Sequence, residues 1–336
     1  MVVAMLELSV IVIGRNEAAR IERCLRSVLA SLENVGDYEV IYVDSASEDE
    51  SVAIAARFPI RILQLRRHWT LTPSAGRFIG FRHAAGRFLA FVDGDTVLHP
   101  AWLGASCAFL RENPEFGGVA GAVDKACFSD DGSSAPADAN RGRCDRQAVA
   151  ASVPSLGGIA TYRREAMEQA GTFNPFLPTG EECEVALRIR RAGYKLARIA
   201  APMCVTHSLP PESIREIMRR SRAHLYDYGA TLRYCLINGF AWRFSVEQMS
   251  FVYSFVIAVV ALLAAIVISV ATGAAWLLAG ALGAAAVYVL VTRRRGKNLA
   301  VSLVKRSLMT YRTVLSFLRT RPQPVHCYPT DVVVVK

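Results

Sequence analysis

FLAFVDGD, Phe88–Asp95, runs five apolar residues straight into two aspartates one position apart. An unbroken apolar run of this length reads as a strand buried on both faces, the pattern of a parallel sheet. Its end is the puzzle. Neighbouring carboxylates repel each other, and each gives up hydration when drawn together. A divalent cation removes the difficulty, because Mg²⁺ and Mn²⁺ take carboxylate oxygens together with substrate phosphates. Gly94 lets the backbone turn sharply enough for Asp93 and Asp95 to reach one ligand. A DGD triplet alone is also a common solvated turn, so its weight depends on what surrounds it.

Working outward, Leu8–Ile13 is an apolar, β-branched run, Glu17–Leu32 has helical spacing and Glu39–Val43 is strand-like. Val52–Arg57 reads as a helix, Ile60–Leu65 as a strand, and Ser74–Ala85 as the helix feeding Phe88. Alternating units of this kind predict an α/β fold, an open and mainly parallel sheet with helices on both faces. Ligands of such sheets bind outside the carboxyl ends of the strands. Those ends carry Arg15-Asn16-Glu17, then the acids of VDSASED from Asp44 to Asp49, then DGD, all facing one crevice. Further on, Phe128–Arg146 is polar and rich in Gly, Pro and Ser, a loop by composition. Arg163–Gly171 is a short helix closed by its glycine, and Glu182–Ala192 a longer one stopped by Gly193. Pro211–Arg243 is helical and amphipathic.

Four segments in order, SVIVIGRNE, VDSASEDES, SAGRFIGFRHAAGRFLAFVDGD and GGIATYRREAMEQAGTFNPFLPTGEECEVALRIRRAGYKL, cover Leu8 to Leu196 and resemble glycosyltransferase family 2. The resemblance implies the nucleotide-sugar-binding GT-A fold and assigns roles. Arg15, Asn16 and Glu17 contact the nucleoside, and Asp44 bonds the base or ribose. Ser47 and Asp49 follow, with Ser45 where a second acid is usual. Asp93 lies near ribose and metal, and Asp95 ligates the Mg²⁺ or Mn²⁺ that bridges the phosphates. Arg77 contacts the diphosphate, although Phe78-Ile79-Gly80 replaces the frequent Asn-Ile-Gly. Glu182 stands where the family has the aspartate that deprotonates the acceptor, the second acid of a pair at a helix start. Glu181 neighbours the sugar or acceptor, and Glu184 supports them. Read without the upstream motifs, these acids are ordinary for a helix N-terminus. His207 completes the metal or phosphate shell, while His68, His83 and His99 have no such context. Gly157 and Gly158 permit close backbone approach to the sugar or acceptor.

The family chemistry implied is a single displacement that inverts the anomeric carbon. The Gln-x-x-Arg-Trp motif of processive synthases is missing from IREIMRRSRAHLYDYG, so one sugar per acceptor is expected. Two other classes stand beside this reading. One is a catalytically inactive, nucleotide-binding membrane scaffold or sensor. The other is a nucleotidyltransferase, against which GRNEAAR stands where a Gly-rich basic loop is usual.

From Gln248 to Thr292 there is no charged residue in 45 positions. A bilayer-spanning helix needs about 20 apolar residues. Met249–Ala271 and Ala274–Val291 are therefore expected to form a transmembrane hairpin turning at Thr272-Gly273. Of the formal net charge of +10, nine units lie in Thr292–Lys336, where ten Lys or Arg face only Asp331. Charge that begins at Arg293-Arg294-Arg295, directly behind the second span, fits a cytoplasmic flank and anionic headgroups rather than nucleic acid. Leu299–Leu318 is a candidate surface amphipathic helix, and Arg215, Arg219, Arg220 and Arg222 are placed to meet headgroups or an acceptor phosphate. The N-terminal run lacks the basic start and cleavage site of a secretion signal. The eight cysteines contain no CxxC pair, so neither a zinc site nor a disulfide framework is expected. The expected organisation is a GT-A domain at 1–210, juxtamembrane helices at 211–247, the hairpin at 248–292 and a basic cytoplasmic tail at 293–336. The protein then sits in the cell (inner) membrane with its catalytic domain cytoplasmic. Its partners are a nucleotide-diphosphate sugar and a membrane lipid or lipid-linked acceptor.

Overall fold

The computed structural model describes residues 6–33, 35–128, 134–135, 151–207, 213–273, 276, 280, 283 and 299–336. They divide into two compact units, Met1–Ser208 with Pro322–Lys336, and Leu209–Arg321. In the first unit the elements run β1 (Leu8–Gly14), α1 (Ile21–Ala30), β2 (Tyr38–Asp44), α2 (Ser51–Ala55), β3 (Arg61–Gln64), α3 (Pro73–His83), β4 (Phe88–Asp93), β5 (Val97–Leu98) and α4 (Trp102–Glu112). Then come β6 (Phe116–Phe128), β7 (Ser134–Ala135), β8 (Ala151–Ser152), β9 (Ala160–Arg163), α5 (Arg164–Ala170), α6 (Glu181–Arg191) and β10 (Lys195–His207). The second unit holds α7 (Ile214–Arg222), α8 (Tyr228–Ile237), α9 (Ala241–Gln248), α10 (Ser250–Thr272) and α11 (Leu299–Arg319), after which β11 (Val333–Val334) returns to the first.

The sheet has the order β11-β3-β2-β1-β4-β9-β6-β10-β5. Strands β3, β2, β1 and β4 are parallel, and their apolar runs are covered on both faces, as the sequence pattern requires. Beyond β4 the sheet becomes mixed: β9 is antiparallel to β4 and β6, while β10 runs parallel to β6 with bulges. The expected mainly parallel sheet thus holds for the half that carries the acidic tips. The register levels those tips, since Gly14 faces Asp44, Asp44 faces Gln64 and Ile13 faces Asp93.

Helix α3 lies unusually close to this sheet. Thr72 caps it, its Oγ1 accepting from the Ala75 N–H at 3.0 Å, and Pro73 opens its first turn. A Cβ at Gly80 would sit 2.2 Å from Ile11 Cγ2, and one at Gly76 would sit 3.2 Å from Ile13 Cγ2. Bare glycines let the helix drop onto β1, and the drop buries Ser74 to Gly80, Arg77 included.

The expected tail at 293–336 is divided by the structure. Pro322–Lys336 belongs to the catalytic unit, and β11 pairs antiparallel with β3, Val333 facing Gln64 and Val334 facing Leu63. Without that pairing β3 would present an open edge. The charge pattern did not reveal this, because the pairing depends on the four valines Val332 to Val335.

In the second unit, the juxtamembrane helices expected at 211–247 are three, α7, α8 and α9. Ser213 caps α7 by accepting from the Glu216 N–H, and α7 ends at Arg222 ahead of His224, which has a positive φ. Glu216 is ion-paired to Arg219 and Arg220, so those two arginines are already engaged. Helix α11 confirms helical structure over the expected amphipathic stretch, but one face of it packs on α8: a Cβ at Gly229 would meet the Thr313 carbonyl at 1.8 Å. Arg312 donates to Asp227 at 2.8 Å in the same contact. Within α10, Val252–Thr272 is a 21-residue stretch of mean hydropathy 2.9. It ends at Gly273 in the left-handed conformation, at the expected turn. The expected second span, 274–291, lies almost wholly outside the described residues, as do 129–133 and 136–150 in the polar loop.

Candidate active site

Two loops make the outer rim, and they are interlocked. The Asn16 N–H donates to Ser47 Oγ at 2.9 Å, and the Glu48 N–H donates back to Asn16 Oδ1 at 2.9 Å. The Glu17 N–H donates to Ser51 Oγ at 2.7 Å, and the Ala18 N–H to Asp49 Oδ2 at 3.0 Å. Behind them Asp44 is fully buried. Its oxygens accept from Tyr42 Oη at 3.1 Å, the Ser47 N–H at 2.8 Å, Ser47 Oγ, and Gln64 Nε2 at 3.0 Å. A carboxylate offers about four lone-pair positions, so Asp44 is saturated, and a nucleoside reaching it has to displace one of these donors. Arg15 is exposed on the same loop.

The inner cluster joins β4 to α6 across α3. Arg77 is 2% exposed, and its Nη1 donates to Glu181 Oε1 at 2.7 Å while its Nη2 donates to Asp93 Oδ1 at 2.8 Å. Losing Arg77 would leave both acid groups without their shared donor, and losing Glu181 would leave the buried guanidinium short of one partner. Arg77 therefore holds two carboxylates together, and its expected diphosphate contact competes with both. Gly158 marks where the segments meet. A Cβ there would lie 2.7 Å from Arg77 Nη2, 3.0 Å from Asp93 Oδ2 and 3.3 Å from Glu182 Oε1. The close approach expected at this glycine is thus to the site's own side chains. Gly157 differs: its φ of +88° makes a turn, and nothing lies within 4 Å of the Cβ position.

Burial governs the charges here. It pushes the Glu181 carboxyl up to about 8, with Glu182 beside it adding to the rise and Arg77 opposing it. Asp93 is raised in the same direction, by burial first, again against the pull of Arg77. Glu17 is pushed up to about 7 by burial, opposed by Arg20. Arg20 was not foreseen. It pairs with Glu17 at 2.8 Å and reaches toward Asp95 at 3.9 Å, and it has no mark in the sequence beyond its place at the first helix. Gln64, also missed, stands at a parallel strand end, a position that the crevice rule could have flagged.

Asp95 stands apart from the inner pair, with its side chain 44% exposed. Glu184 is buried and bonded to Arg188 at 2.7 and 2.6 Å, which ties α6 to the end of α5 and makes it a structural acid. His207 ends β10 opposite Ala126, and its side chain lies outside the described ones. Among the described residues no group of three metal-binding side chains gathers. The hard oxygens of Asp95 and Asp93 still suit Mg²⁺ or Mn²⁺, since such ions need only one or two carboxylates beside substrate phosphates.

A sheet whose parallel half ends in these carboxylates, facing an acid-started helix, has the build of a GT-A type domain. Its fold is similar to that of S. aureus TarS in complex with UDP-GlcNAc, with a TM-score of 0.51 and 18% identity over 65% of this chain and 64% of that one. For S. aureus TarS in complex with UDP the TM-score is 0.50 and the identity 20%, over 65% of each chain. Residues 9–170 match the model of Glycosyl transferase family 2. It is also 35% identical over 98 residues to Glycosyltransferase AglE of Haloferax volcanii, an alignment covering 28% of this chain. That alignment spans 32%, about a third, of the length of this curated relative.

Proposed function

We propose that this protein is an inverting, metal-dependent, non-processive glycosyltransferase. It moves one sugar from a nucleotide-sugar donor to a membrane-associated acceptor, a lipid-linked saccharide or a polyprenyl phosphate. The observation that carries the reading is the convergence of Asp93, Arg77 and Glu182 around Gly158, which puts the DGD strand end and the acid pair of α6 in one place. Glu182, half-buried at the first turn of α6, takes the proton of an acceptor hydroxyl. The acceptor oxygen then bonds to the anomeric carbon from the face opposite the departing nucleoside diphosphate, which leaves with the electron pair of the broken C–O bond. An α-linked donor gives a β-linked product. Arg77 holds Glu181, the residue directly before Glu182, through a bond of 2.7 Å. When bound, a Mg²⁺ or Mn²⁺ ion on Asp95, with Asp93 behind it, would supply positive charge against the diphosphate. The interlocked loops around Asn16 and Ser47 form the nucleoside side of the crevice.

The membrane part rests on α10, whose apolar side chains stand exposed, Val270 at 81% and Ile257 at 66%. The chain comes back to β3 after this unit, so both ends of any membrane passage lie on the catalytic side, which supports a hairpin over a single crossing. The basic run at Arg293 supports a cytoplasmic assignment for that side.

The test is calorimetric titration of UDP, GDP and their common sugar conjugates, with and without Mn²⁺, into wild type and Asp95→Ala. Metal-dependent binding of one nucleotide, lost in the variant, is expected. A folded wild type that binds none of them overturns the transferase in favour of the inactive scaffold.

A further inference from the structure

The tail that follows the second unit does more than seal a sheet edge. Tyr328 is 3% exposed, and its hydroxyl donates to the Thr70 carbonyl at 2.8 Å. Its ring meets Trp69, Phe78 and Phe176 edge-on, at centroid distances of 5.7, 5.8 and 5.5 Å. Each partner lies on a segment that carries a functional side chain or leads to one. Trp69 and Thr70 lie in the loop between the parallel strand β3 and α3, on the crevice side. Phe78 is the neighbour of Arg77 on α3, and Phe176 lies in the loop that leads into Glu181 and Glu182. Those two loops touch already, Thr72 Oγ1 donating to the Pro175 carbonyl at 2.7 Å and Ser74 Oγ to the Asn174 carbonyl at 2.6 Å. Tyr328 fills the space behind this seam.

We propose that Tyr328 is a positioning residue for the transfer reaction: it clamps the loop ahead of α3 to the loop ahead of α6, and so fixes the Arg77–Glu181 pair beside Glu182. The proposal rests on the transferase reading above. The tail's own attachment does not depend on Tyr328. The backbone ladder with β3 continues through the Ile62 N–H to the Lys336 carbonyl at 2.9 Å, and Lys336 Nζ donates to the Ala56 and Phe58 carbonyls at 2.8 and 2.7 Å. Substituting the tyrosine therefore removes the clamp and leaves the strand docked. A segment encoded after the membrane-directed unit then completes the catalytic centre encoded before it, and a catalytic fragment cut at residue 208 lacks that part.

The test compares full-length wild type, Tyr328→Phe, Tyr328→Ala and the control Lys336→Ala. Hydrolysis of UDP-GlcNAc, calorimetric binding of UDP, and amide hydrogen exchange over residues 174–184 are followed below the melting temperature of every variant. Because an ångström of misplacement costs up to about a hundredfold, Tyr328→Ala is expected to lower kcat by at least about tenfold. UDP affinity should stay within about twofold, exchange over 174–184 should accelerate, and the phenylalanine should recover most of the activity because it keeps the ring contacts. Unchanged exchange in the alanine variant overturns the clamp. Accelerated exchange with unchanged kcat overturns the positioning role. Equal losses in Lys336→Ala reduce Tyr328 to a share of general tail docking and also overturn it. A wild type that binds UDP but does not hydrolyse UDP-GlcNAc refutes that donor, and the exchange readout still decides the clamp.

Discussion

Glu182 and Glu181 are adjacent in sequence yet sit in different environments, and each makes its own prediction. Glu182 is half-buried and 3.3 Å from the Gly158 Cβ position, while Glu181 is 4% exposed and bonded to Arg77. As the acceptor base, Glu182 replaced by Gln should lose about 10²–10⁴-fold in transfer rate, with UDP affinity preserved. Glu182→Asp should retain more activity than the amide. A Gln variant with wild-type turnover would move the base elsewhere. Glu181 predicts a stability profile. Its folded pKa, about 8, lies above the ordinary 4.5, so the folded state keeps a proton that the unfolded chain releases. That contribution is complete below the ordinary value and is lost as pH rises through about 8. Melting temperature should therefore fall from about pH 5 to about pH 8, and Glu181→Gln should flatten part of the slope. Glu17, raised to about 7, adds a contribution of the same sign that the variant leaves in place. A profile identical in wild type and variant contradicts the assignment.

At the scale of elements, the site depends on how closely α3, β4 and the lead into β9 approach one another. Gly158 lies at that junction and Gly157 lies beside it in open space, so the two alanine variants separate packing from backbone strain. Gly158→Ala pushes Arg77, Asp93 and Glu182 apart. It should cost about 1–3 kcal/mol and most of the activity. Gly157→Ala meets nothing and is strained only by its positive φ, which should cost about 1–2 kcal/mol and spare turnover in the folded fraction. Thermal melts and kcat measured on both variants check the contrast, and equal kcat losses would sink it. Neither role was separable beforehand, because a Gly-Gly pair does not say which member meets side chains. The same limit applies to Arg77. Its position in the motif was visible, but its burial follows from Gly76 and Gly80 lowering α3 onto β1.

At the scale of the whole molecule, α10 is apolar over 21 residues and mostly exposed, and the prediction is physical retention in a bilayer. The full chain should stay in the membrane pellet through a high-salt wash. Val256→Lys, Val260→Lys and Leu263→Lys together should release it, since each charge near a helix centre costs about 2.5–3.5 kcal/mol. Release of wild type by salt alone would mean that the basic residues after Thr292 hold it electrostatically.

Local pattern was enough to determine the βα order, the acidic strand tips, the acid pair of α6 and the apolar run, because periodicity, glycine placement and charge are properties of short segments. The interlocked rim was half visible: its acids and serines were singled out, but the bond that joins Asn16 to Ser47 spans 31 positions, and the Gln64 bond that completes the set on Asp44 follows from strand register. Tertiary structure alone decided that Arg77 binds two carboxylates, that the sheet turns mixed beyond β4, and that Pro322–Lys336 crosses back to β3 and buries Tyr328. The physical reason is sequence distance. Tyr328 and its partner Thr70 are 258 positions apart, and no local propensity encodes a contact that exists only after the sheet has formed an edge for the tail to complete.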